Sequence, residues 1–211
     1  MSAETRNRII SEALQLFMQN GVKVITMDEI ANHIGISKRT LYENFKDKEE
    51  LLTECILYNK EKMDEKFNDF FNRSSNAIEL LALFVIDNRK SIVNYRTNFV
   101  LEVKKYHPAV FENAVRNFKN SQKQRCIEVL QLGVEQGVFR KDLNFEIIFN
   151  FLQAGFLHLL HTDNKIKDKY SIGEIFEESI SFCVRGIVTE YGINMLDEIL
   201  EKNLRVWHEI C

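Results

Sequence analysis

The sequence predicts an all-α protein, with an N-terminal helix-turn-helix, a larger helical region behind it, and about nine or ten helices in all. Its 211 residues include one proline and eight glycines, fewer chain breakers than a protein built of short strands and turns would carry. Apolar residues recur at the three- and four-residue spacing of an α-helix. Several of these segments open with Ser, Thr, Asp or Asn followed three residues later by Glu, a pattern that marks helix N-termini.

The clearest local signals surround a tight turn near the N-terminus. Thr26 and Glu29 form a capping box that opens a short helix, and Gly35 can adopt the left-handed conformation that ends it. Ser37 caps a second short helix over residues 38–44. Two short helices joined in this way form a helix-turn-helix, whose second helix can lie in the major groove of DNA.

The remaining helices follow from the same combination of N-caps, apolar spacing and glycine or proline breaks. Their predicted ranges are 3–20, 48–71, 76–93, 95–106, 108–136, 144–161, 171–191 and 195–210. The long helix that starts at residue 48 leads away from the helix-turn-helix. We therefore expect a DNA-binding domain over residues 1–48 and a helical ligand-sensing and dimerisation domain over residues 49–211.

The second short helix offers polar side chains on the side opposite its apolar residue Leu41. At 100° per residue, Arg39 and Glu43 point away from the core, and Lys38 lies at the end that enters the groove first. Lys and Arg can donate to guanine O6 and N7. Tyr42 and the lysines that follow the helix can reach phosphates, which position a protein without specifying sequence. The alternative is an amphipathic helix pair with a solvated, charged face.

The segment GVKVITMDEIANHIGISKRTLYENFKDKEEL, residues 21–51, resembles the DNA-binding domain of the TetR family of bacterial transcriptional regulators. The specific part is the run S-K-x-T-L-Y-x-x-F-x-x-K-E-x-L, whereas the rest of the chain resembles the family only in length and helical pattern. The resemblance implies phosphate contacts at Thr26, Thr40, Tyr42 and Lys48 and base-edge contacts at Lys38, Arg39 and Asn44. With the outward face, the base-contact candidates are Lys38, Arg39, Thr40, Glu43 and Asn44, and the phosphate-contact candidates are Thr26, Ser37, Tyr42, Lys46 and Lys48.

Two neighbouring helices in the C-terminal half carry more apolar residues than one buried face needs. The helix over residues 144–161 is apolar nearly all round, and the helix over 171–191 has a second apolar set beside its main stripe. Both can pack against the same pair of a second subunit in a two-fold symmetric homodimer, as the TetR resemblance also implies. The alternative is a thick core within one chain. The dimer-interface candidates are Phe149, Leu152, Phe156, Phe176, Ile180, Val184 and Ile187.

Aromatic residues are frequent beyond residue 48, and some of them are candidates for a ligand pocket. The sequence holds sixteen phenylalanines and six tyrosines, most of which must fill the core. A cavity lined by a few of them, with polar tips among them, would suit a moderately hydrophobic organic molecule acting as inducer. The alternative is that these rings only fill the core. The pocket candidates are Phe84, Tyr95, Phe99, Tyr106, Phe118, His158 and Trp207.

The bulk properties restrict the function further. The net charge is −3, so affinity for DNA must come from a local patch, and residues 37–48 carry four basic against two acidic side chains. No segment has the length of an apolar membrane span, the chain opens without a secretion signal, and the four cysteines lack zinc-ligand spacing. We expect a cytoplasmic protein without membrane association, metal, cofactor or catalytic site.

These observations predict a DNA-binding transcriptional regulator, a ligand-responsive repressor that binds a pseudo-palindromic operator in double-stranded DNA as a dimer. The alternative is an all-helical carrier or enzyme for small molecules with incidental N-terminal helices. That alternative leaves the outward Arg39 and Tyr42 unexplained, and the sequence shows no nucleophile–base set. Nonspecific DNA packaging is a third possibility, and it would suit a more basic chain.

Overall fold

The computed structural model of the protein describes residues 3–94, 99–161, 166 and 169–208. The predicted pocket residue Tyr95 lies outside the described residues, and so do the side chains of Phe156, His158 and Trp207.

The all-α fold is confirmed. The helices are α1 (Ala3–Asn20), α2 (Met27–Ile34), α3 (Lys38–Asn44), α4 (Lys48–Arg73), α5 (Ala77–Asn94), α6 (Phe99–Tyr106), α7 (Pro108–Val110), α8 (Arg116–Glu135), α9 (Phe145–His161), α10 (Ile172–Ile187) and α11 (Glu190–His208), with a π-helical segment at Phe111–Val115 between α7 and α8.

Two helices begin with the capping boxes that the sequence predicts. At α2 the backbone N–H of Glu29 donates to the Thr26 hydroxyl at 3.2 Å, and the Thr26 N–H donates to the Glu29 carboxylate at 2.7 Å. Ser171 and Glu174 make the same reciprocal pair at α10, at 3.2 and 2.7 Å. Each box satisfies backbone donors that an isolated helix leaves free, so these N-termini are set by local chemistry.

The C-terminal part of the chain departs from the prediction. The helix predicted over residues 171–191 ends at Ile187, and Gly192 lies within α11 instead of between two helices. Val188 forms an antiparallel bridge with Phe139, and the Arg140 N–H donates to the Ile187 carbonyl at 2.8 Å. The predicted boundary at Gly192 was wrong because this backbone pairing joins residues about fifty apart in sequence, which local helix signals do not encode.

The helix predicted over residues 108–136 is also interrupted. Pro108 begins the short α7, and the wide turn of the π-helical segment separates it from α8. Gly137, with φ 73°, follows the end of α8 in the left-handed conformation that glycine favours. The π-helical turn had no local signal in the sequence.

The chain forms two compact units. Unit 1 comprises Met1–Phe67 and Asn94–Gln122, and unit 2 comprises Asn68–Val93 and Lys123–Cys211. The core of unit 1 combines apolar residues of α1–α4 with Val103 of α6 and residues of α7 and the π-helical segment. Unit 1 therefore buries more than the helix-turn-helix alone. The predicted functional division at residue 48 stays a prediction.

Unit 2 has its own core, and two glycines allow close packing within it. A Cβ at Gly133 would lie 2.0 Å from the Phe139 ring, and one at Gly192 would lie 2.3 Å from the Val138 carbonyl oxygen. Only glycine permits these approaches without a shift of the neighbouring chain. The fully or nearly fully buried apolar side chains of this unit include Ile78, Leu80, Val129, Leu130, Phe139, Ile175, Val188 and Leu196.

Candidate nucleic-acid interface

The turn between α2 and α3 is held by backbone and side-chain hydrogen bonds. Gly35 adopts φ 75°, and its N–H and that of Ile36 both donate to the Ala31 carbonyl, at 3.1 and 3.0 Å. The Arg8 guanidinium of α1 donates to the Ile34 carbonyl at 3.1 Å. These bonds satisfy the carbonyls that the end of α2 leaves free, and they fix the direction in which α3 leaves the turn.

Two buried side chains set the rotation of α3 about its axis. Leu41 and Phe45 are both fully buried, and the Arg6 guanidinium lies 4.9 Å from the centre of the Phe45 ring while pairing with Glu54 at 3.1 Å. With this side of α3 fixed against the core, its opposite side faces solvent. The side chain of Arg39 is 88% exposed there.

The exposed side of α3 carries cations that are paired with acids. The Lys38 ammonium lies 2.8 Å from the Asp28 carboxylate of α2, and the Arg39 guanidinium lies 2.8 Å from the Glu43 carboxylate one turn further along α3. The hydrogen bond that Lys38 donates to the Asp28 carboxylate raises the pKa of Lys38. All four side chains are more than half exposed. Three of the predicted base-contact candidates, Lys38, Arg39 and Glu43, therefore share one exposed surface.

The other two base-contact candidates are used within α3. The Asn44 amide donates to the Thr40 carbonyl at 2.7 Å, and the Thr40 N–H donates to the Ser37 hydroxyl at 3.0 Å as part of the N-cap. Thr40 and Asn44 are half-buried. Their base contacts stay predictions, and Ser37 acts in the free protein as a helix cap.

The phosphate-contact candidates divide in the same way. Tyr42 and Lys46 are exposed. Thr26 is exposed but its hydroxyl belongs to the capping box of α2. Lys48 is half-buried: its ammonium donates to the Val22 carbonyl and lies 5.8 Å from the centre of the Phe17 ring. Burial lowers the pKa of Lys48, so in the free protein this side chain ties the turn after α1 to the start of α4.

Comparison with known proteins identifies this helix-turn-helix. Residues 9–55 match the family model described as "Bacterial regulatory proteins, tetR family". These residues form a DNA-binding domain of the TetR family. The chain is a DNA-binding transcriptional regulator with the all-α fold of TetR regulators. The HTH-type transcriptional repressor KstR2 of Mycobacterium tuberculosis is 22% identical over 151 residues, which cover 70% of this chain and 76% of that protein. The HTH-type regulator YvkB of Bacillus subtilis is 26% identical over 196 residues, which cover 87% and 97%.

Solved structures of transcriptional regulators share the fold over nearly the whole chain. The structure of the ketosteroid transcriptional regulator KstR2 of Mycobacterium tuberculosis matches with a TM-score of 0.61 and 18% identity, covering 90% of this chain and 98% of that one. A transcriptional regulator from Saccharomonospora viridis in complex with choline matches with a TM-score of 0.70 and 18% identity, covering 90% and 100%. No helix in the described part of the chain combines the length and apolar character of a membrane crossing.

Contacts between α6 and the DNA-binding helices are absent from the sequence prediction. The Glu102 carboxylate accepts the backbone N–H of Lys23 at 3.1 Å, and it lies 2.8 Å from the position of a Cβ on Gly21. One turn on, Tyr106 packs beside the Lys23 ammonium, 5.5 Å from its ring centre. These residues are about eighty apart in sequence, so no local pattern links them. In this regulator α6 thus braces the turn between α1 and α2.

The pocket candidates whose side chains the structure describes are divided between the two units. Tyr106 is 36% exposed in unit 1, where its ring lies against the ammonium groups of Lys23 and Lys105. Its role in a pocket stays a prediction. Phe99 packs against the core of unit 1, and Phe118 is half-buried in that unit. Phe84 belongs to unit 2, where it meets Phe70 edge-to-face with ring centres 5.3 Å apart.

The predicted dimer residues of α9 and α10 differ in how far their own chain buries them. Phe176, Val184 and Ile187 are buried within the protomer, and Phe149, Leu152 and Ile180 are half-buried. Their role in a dimer stays a prediction. Among the described side chains of these two helices, the most exposed apolar ones are others, namely Ile147 at 65%, Phe151 at 70% and Phe182 at 78%. Periodicity revealed two apolar sides on each helix but could not tell which one faces outward.

Proposed function

We propose that this TetR-family regulator is a ligand-responsive repressor that acts in the cytoplasm and binds a pseudo-palindromic operator as a homodimer. The observation that carries the DNA-reading part is the exposed surface of α3, with Lys38, Arg39 and Glu43 fixed outward by buried Leu41 and Phe45. Repression is supported by relatives named as repressors, such as KstR2.

In this proposal α3 enters the major groove and reads base edges. Arg39 has the geometry to donate to guanine O6 and N7, and Lys38 to donate to one of them. Tyr42 and Lys46, which are exposed beside α3, would contact phosphates and so position the domain. The turn held by Gly35 and Arg8 is expected to keep α3 in one orientation during binding.

Dimerisation is supported by an exposed apolar surface that we call the α9–α10 face, formed by Ile147, Phe151, Gly155, Phe182 and Gly186. The helices α9 and α10 pack against each other. Each phenylalanine has a glycine four residues later on the same side of its helix, and a Cβ added at either glycine would meet no atom within 4 Å. A two-fold axis through such a face can bring the rings of one copy over the open glycine positions of the other.

Ligand response is supported by the course of α4 and by related regulators. α4 begins with Lys48 in unit 1 and ends in unit 2, where Phe70 meets Phe84. Solved relatives include a regulator in complex with choline and a regulator of fatty acid degradation from Bacillus halodurans. We propose a moderately hydrophobic organic inducer that is bound in unit 2 and is coupled to DNA binding through α4.

Selection from a random duplex pool tests the DNA-reading part. The full chain should enrich a two-fold symmetric sequence with half-sites about 34–36 Å apart or at a related spacing, as two α3 helices require. Sedimentation of the same sample should give a dimer. Recovery of unenriched sequence would contradict reading by α3, and a monomer at micromolar concentration would contradict the symmetric arrangement.

A matched pair of variants separates reading from positioning. Arg39→Ala should cost about 1–3 kcal/mol on the selected sequence and relax the preference at one base pair. Lys46→Ala should weaken binding to all sequences alike and reduce the salt slope by about one unit. Equal and sequence-independent losses from both variants would show that Arg39 does not read a base.

Linkage tests the ligand response. If an inducer acts through α4, it must weaken DNA binding by the factor by which DNA weakens its own binding, typically about 1–3 kcal/mol. Apolar compounds that raise the melting temperature should therefore be titrated with and without the selected DNA. Compounds whose affinity is unchanged by DNA would contradict the switch and leave the DNA-reading result intact.

A further inference from the structure

We propose that Asp28 and Glu43 determine specificity: by pairing with Lys38 and Arg39, they suppress binding to the DNA backbone at sites that lack the correct bases. This inference rests on the proposed reading of DNA by α3. Lys38, Asp28, Arg39 and Glu43 together are called the paired set.

The geometry of the paired set cancels the charge of the surface that reads bases. Lys38 reaches across the turn from α3 to Asp28 on α2, ten residues earlier, with 2.8 Å between nitrogen and oxygen. Arg39 reaches along α3 to Glu43 through its Nε, also at 2.8 Å. Two cations and two carboxylates face solvent together. The paired set therefore carries no net charge, although its proposed partner, DNA, is a polyanion.

The two pairs are easily exchanged. The four side chains are between 55% and 88% exposed, and ion pairs in that setting contribute little to folding stability. A partner of matching geometry can therefore replace either carboxylate without unfolding any element. The role of the pairs must then lie in what they do to approaching DNA.

A phosphate is a poor replacement for these carboxylates. When Lys38 or Arg39 turns to a phosphate, one anion is exchanged for another, and the released carboxylate stays beside the phosphodiester chain. The gain from counterion release, which drives nonspecific binding, is offset by this like-charge contact. Background affinity is then left to groups outside the set, such as Lys46.

The correct bases replace the carboxylates more completely. Guanine presents O6 and N7 side by side, so the Arg39 fork can make two hydrogen bonds where Glu43 receives one. The released Glu43 can accept from the N4 amino group of a cytosine in the same groove. Both acids thus lower the affinity for all DNA, but they lower it most for incorrect sequences. The ratio of the affinity for the correct sequence to that for incorrect sequences therefore rises.

The test uses Asp28→Asn, Glu43→Gln and the double variant on a random-sequence duplex, with binding followed by fluorescence anisotropy from about 50 to 200 mM salt. Each freed cation should neutralise one further phosphate, which steepens the salt slope by about 0.9. Each single variant should bind the random duplex about threefold more tightly at the lowest salt, and the double variant about tenfold. The sequences enriched from a random pool should be less uniform than those of the wild type.

A control keeps the change in net charge but moves it away from α3. Glu65→Gln removes one carboxylate from an exposed pair with Lys62, at 2.7 Å. Glu65 lies about 25 Å along α4 from its first residue at 1.5 Å per residue. We expect the wild-type slope and wild-type affinity from this variant. Circular dichroism of all variants should show wild-type helix content.

A second experiment tests whether each acid acts through its own cation. In a Lys38→Gln background, Asp28→Asn should no longer steepen the slope, and in an Arg39→Gln background Glu43→Gln should have no effect on it. Independent effects in both backgrounds would mean that the carboxylates act by general repulsion, and the pairing proposal would be overturned.

The outcomes also separate this inference from the proposed function. A wild type that enriches no sequence and shows no salt-dependent affinity overturns both. A wild type that enriches a symmetric sequence, while Asp28→Asn and Glu43→Gln keep the wild-type slope and background affinity, overturns this inference alone. The same is true if Glu65→Gln matches their effect.

Discussion

The helix-turn-helix and the α9–α10 face place large apolar side chains in opposite environments. Around the turn, Ile30, Leu41 and Phe45 are fully buried, whereas Phe151 and Phe182 are 70% and 78% exposed. A segment that must offer polar groups to DNA completes its apolar core within its own chain. An exposed apolar surface of several large residues instead indicates an interaction site. The fold of one chain buries the apolar residues of the helix-turn-helix. We propose that a second copy of the chain buries those of the α9–α10 face.

The largest expected effect is loss of the dimer from a single charge on the α9–α10 face. Phe182→Asp should give a monomer in sedimentation experiments, because a buried, unpaired carboxylate is costly in an apolar interface. Val24→Asp is the matched control, since Val24 is 59% exposed in unit 1. A Phe182→Asp protein that remains dimeric would show that this face does not form the interface.

A core substitution in the DNA-binding region should act on folding instead. Phe45→Ala removes a fully buried ring, and such changes typically cost about 3–5 kcal/mol. Urea unfolding should show this loss, and DNA binding should fall with it. Tyr42→Ala, three residues earlier and 44% exposed, should leave the unfolding midpoint nearly unchanged while it weakens DNA binding. A stable Phe45→Ala protein would mean that α3 is not held by this ring.

A smaller effect is expected where unit 2 depends on close backbone packing. Gly192→Ala would place a Cβ 2.3 Å from the Val138 carbonyl oxygen, which forces a shift that we expect to cost about 1–3 kcal/mol. Glu198→Ala is the control in the same helix, at an exposed position. Differential scanning calorimetry should show a lower melting temperature for Gly192→Ala than for Glu198→Ala. Equal temperatures would exclude this contact as a determinant of stability.

The smallest expected effect is on the pH dependence of stability, through the capping box that each unit contains. The pKa values of Glu29 and Glu174 lie below the ordinary value of 4.5 because each carboxylate accepts the N–H of its cap residue. The stabilisation from each is therefore present above about pH 4.5 and is lost as the pH falls through the lowered pKa. Glu29→Gln and Glu174→Gln should each reduce the loss of stability between about pH 5 and pH 3.

Urea unfolding at the two pH values measures this difference. The α2 and α10 capping boxes have equal hydrogen-bond distances, 2.7 and 3.2 Å in both. We therefore expect similar reductions for the two variants. An acid dependence identical to that of the wild type in both cases would show that these carboxylates do not contribute to acid unfolding.

Local chemistry explains which parts of the fold were predictable. The starts of α2, α3 and α10 follow from Thr26, Ser37 and Ser171, because a capping side chain and the N–H that it binds lie within three residues. The end of α10 was not predictable in this way, since it depends on pairing between Val188 and Phe139. The rule is that a boundary is readable from sequence when its hydrogen-bond partners are close in sequence.

In the candidate site, too, the features set by residues close in sequence were predictable and those set by distant residues were not. That Arg39 and Glu43 face outward follows from the helical period around Leu41. The ion pair between Lys38 and Asp28 joins two helices across a turn, and the burial of Lys48 against Val22 joins residues 26 apart. Such tertiary contacts change what a side chain can offer to DNA, and residue type alone does not reveal them.

The π-helical segment at Phe111–Val115 has a consequence for how related chains align with this one. A π-helical turn accommodates one residue more than an α-helical turn, so it is equivalent to a single-residue insertion that leaves the helix on either side in phase. Val110 before the turn and Val115 at its end are both buried. In a relative with an unbroken α-helix here, we expect one residue fewer between these two positions. A one-residue gap in the sequence alignment at this point would then be compatible with the same fold and would not indicate a missing helix.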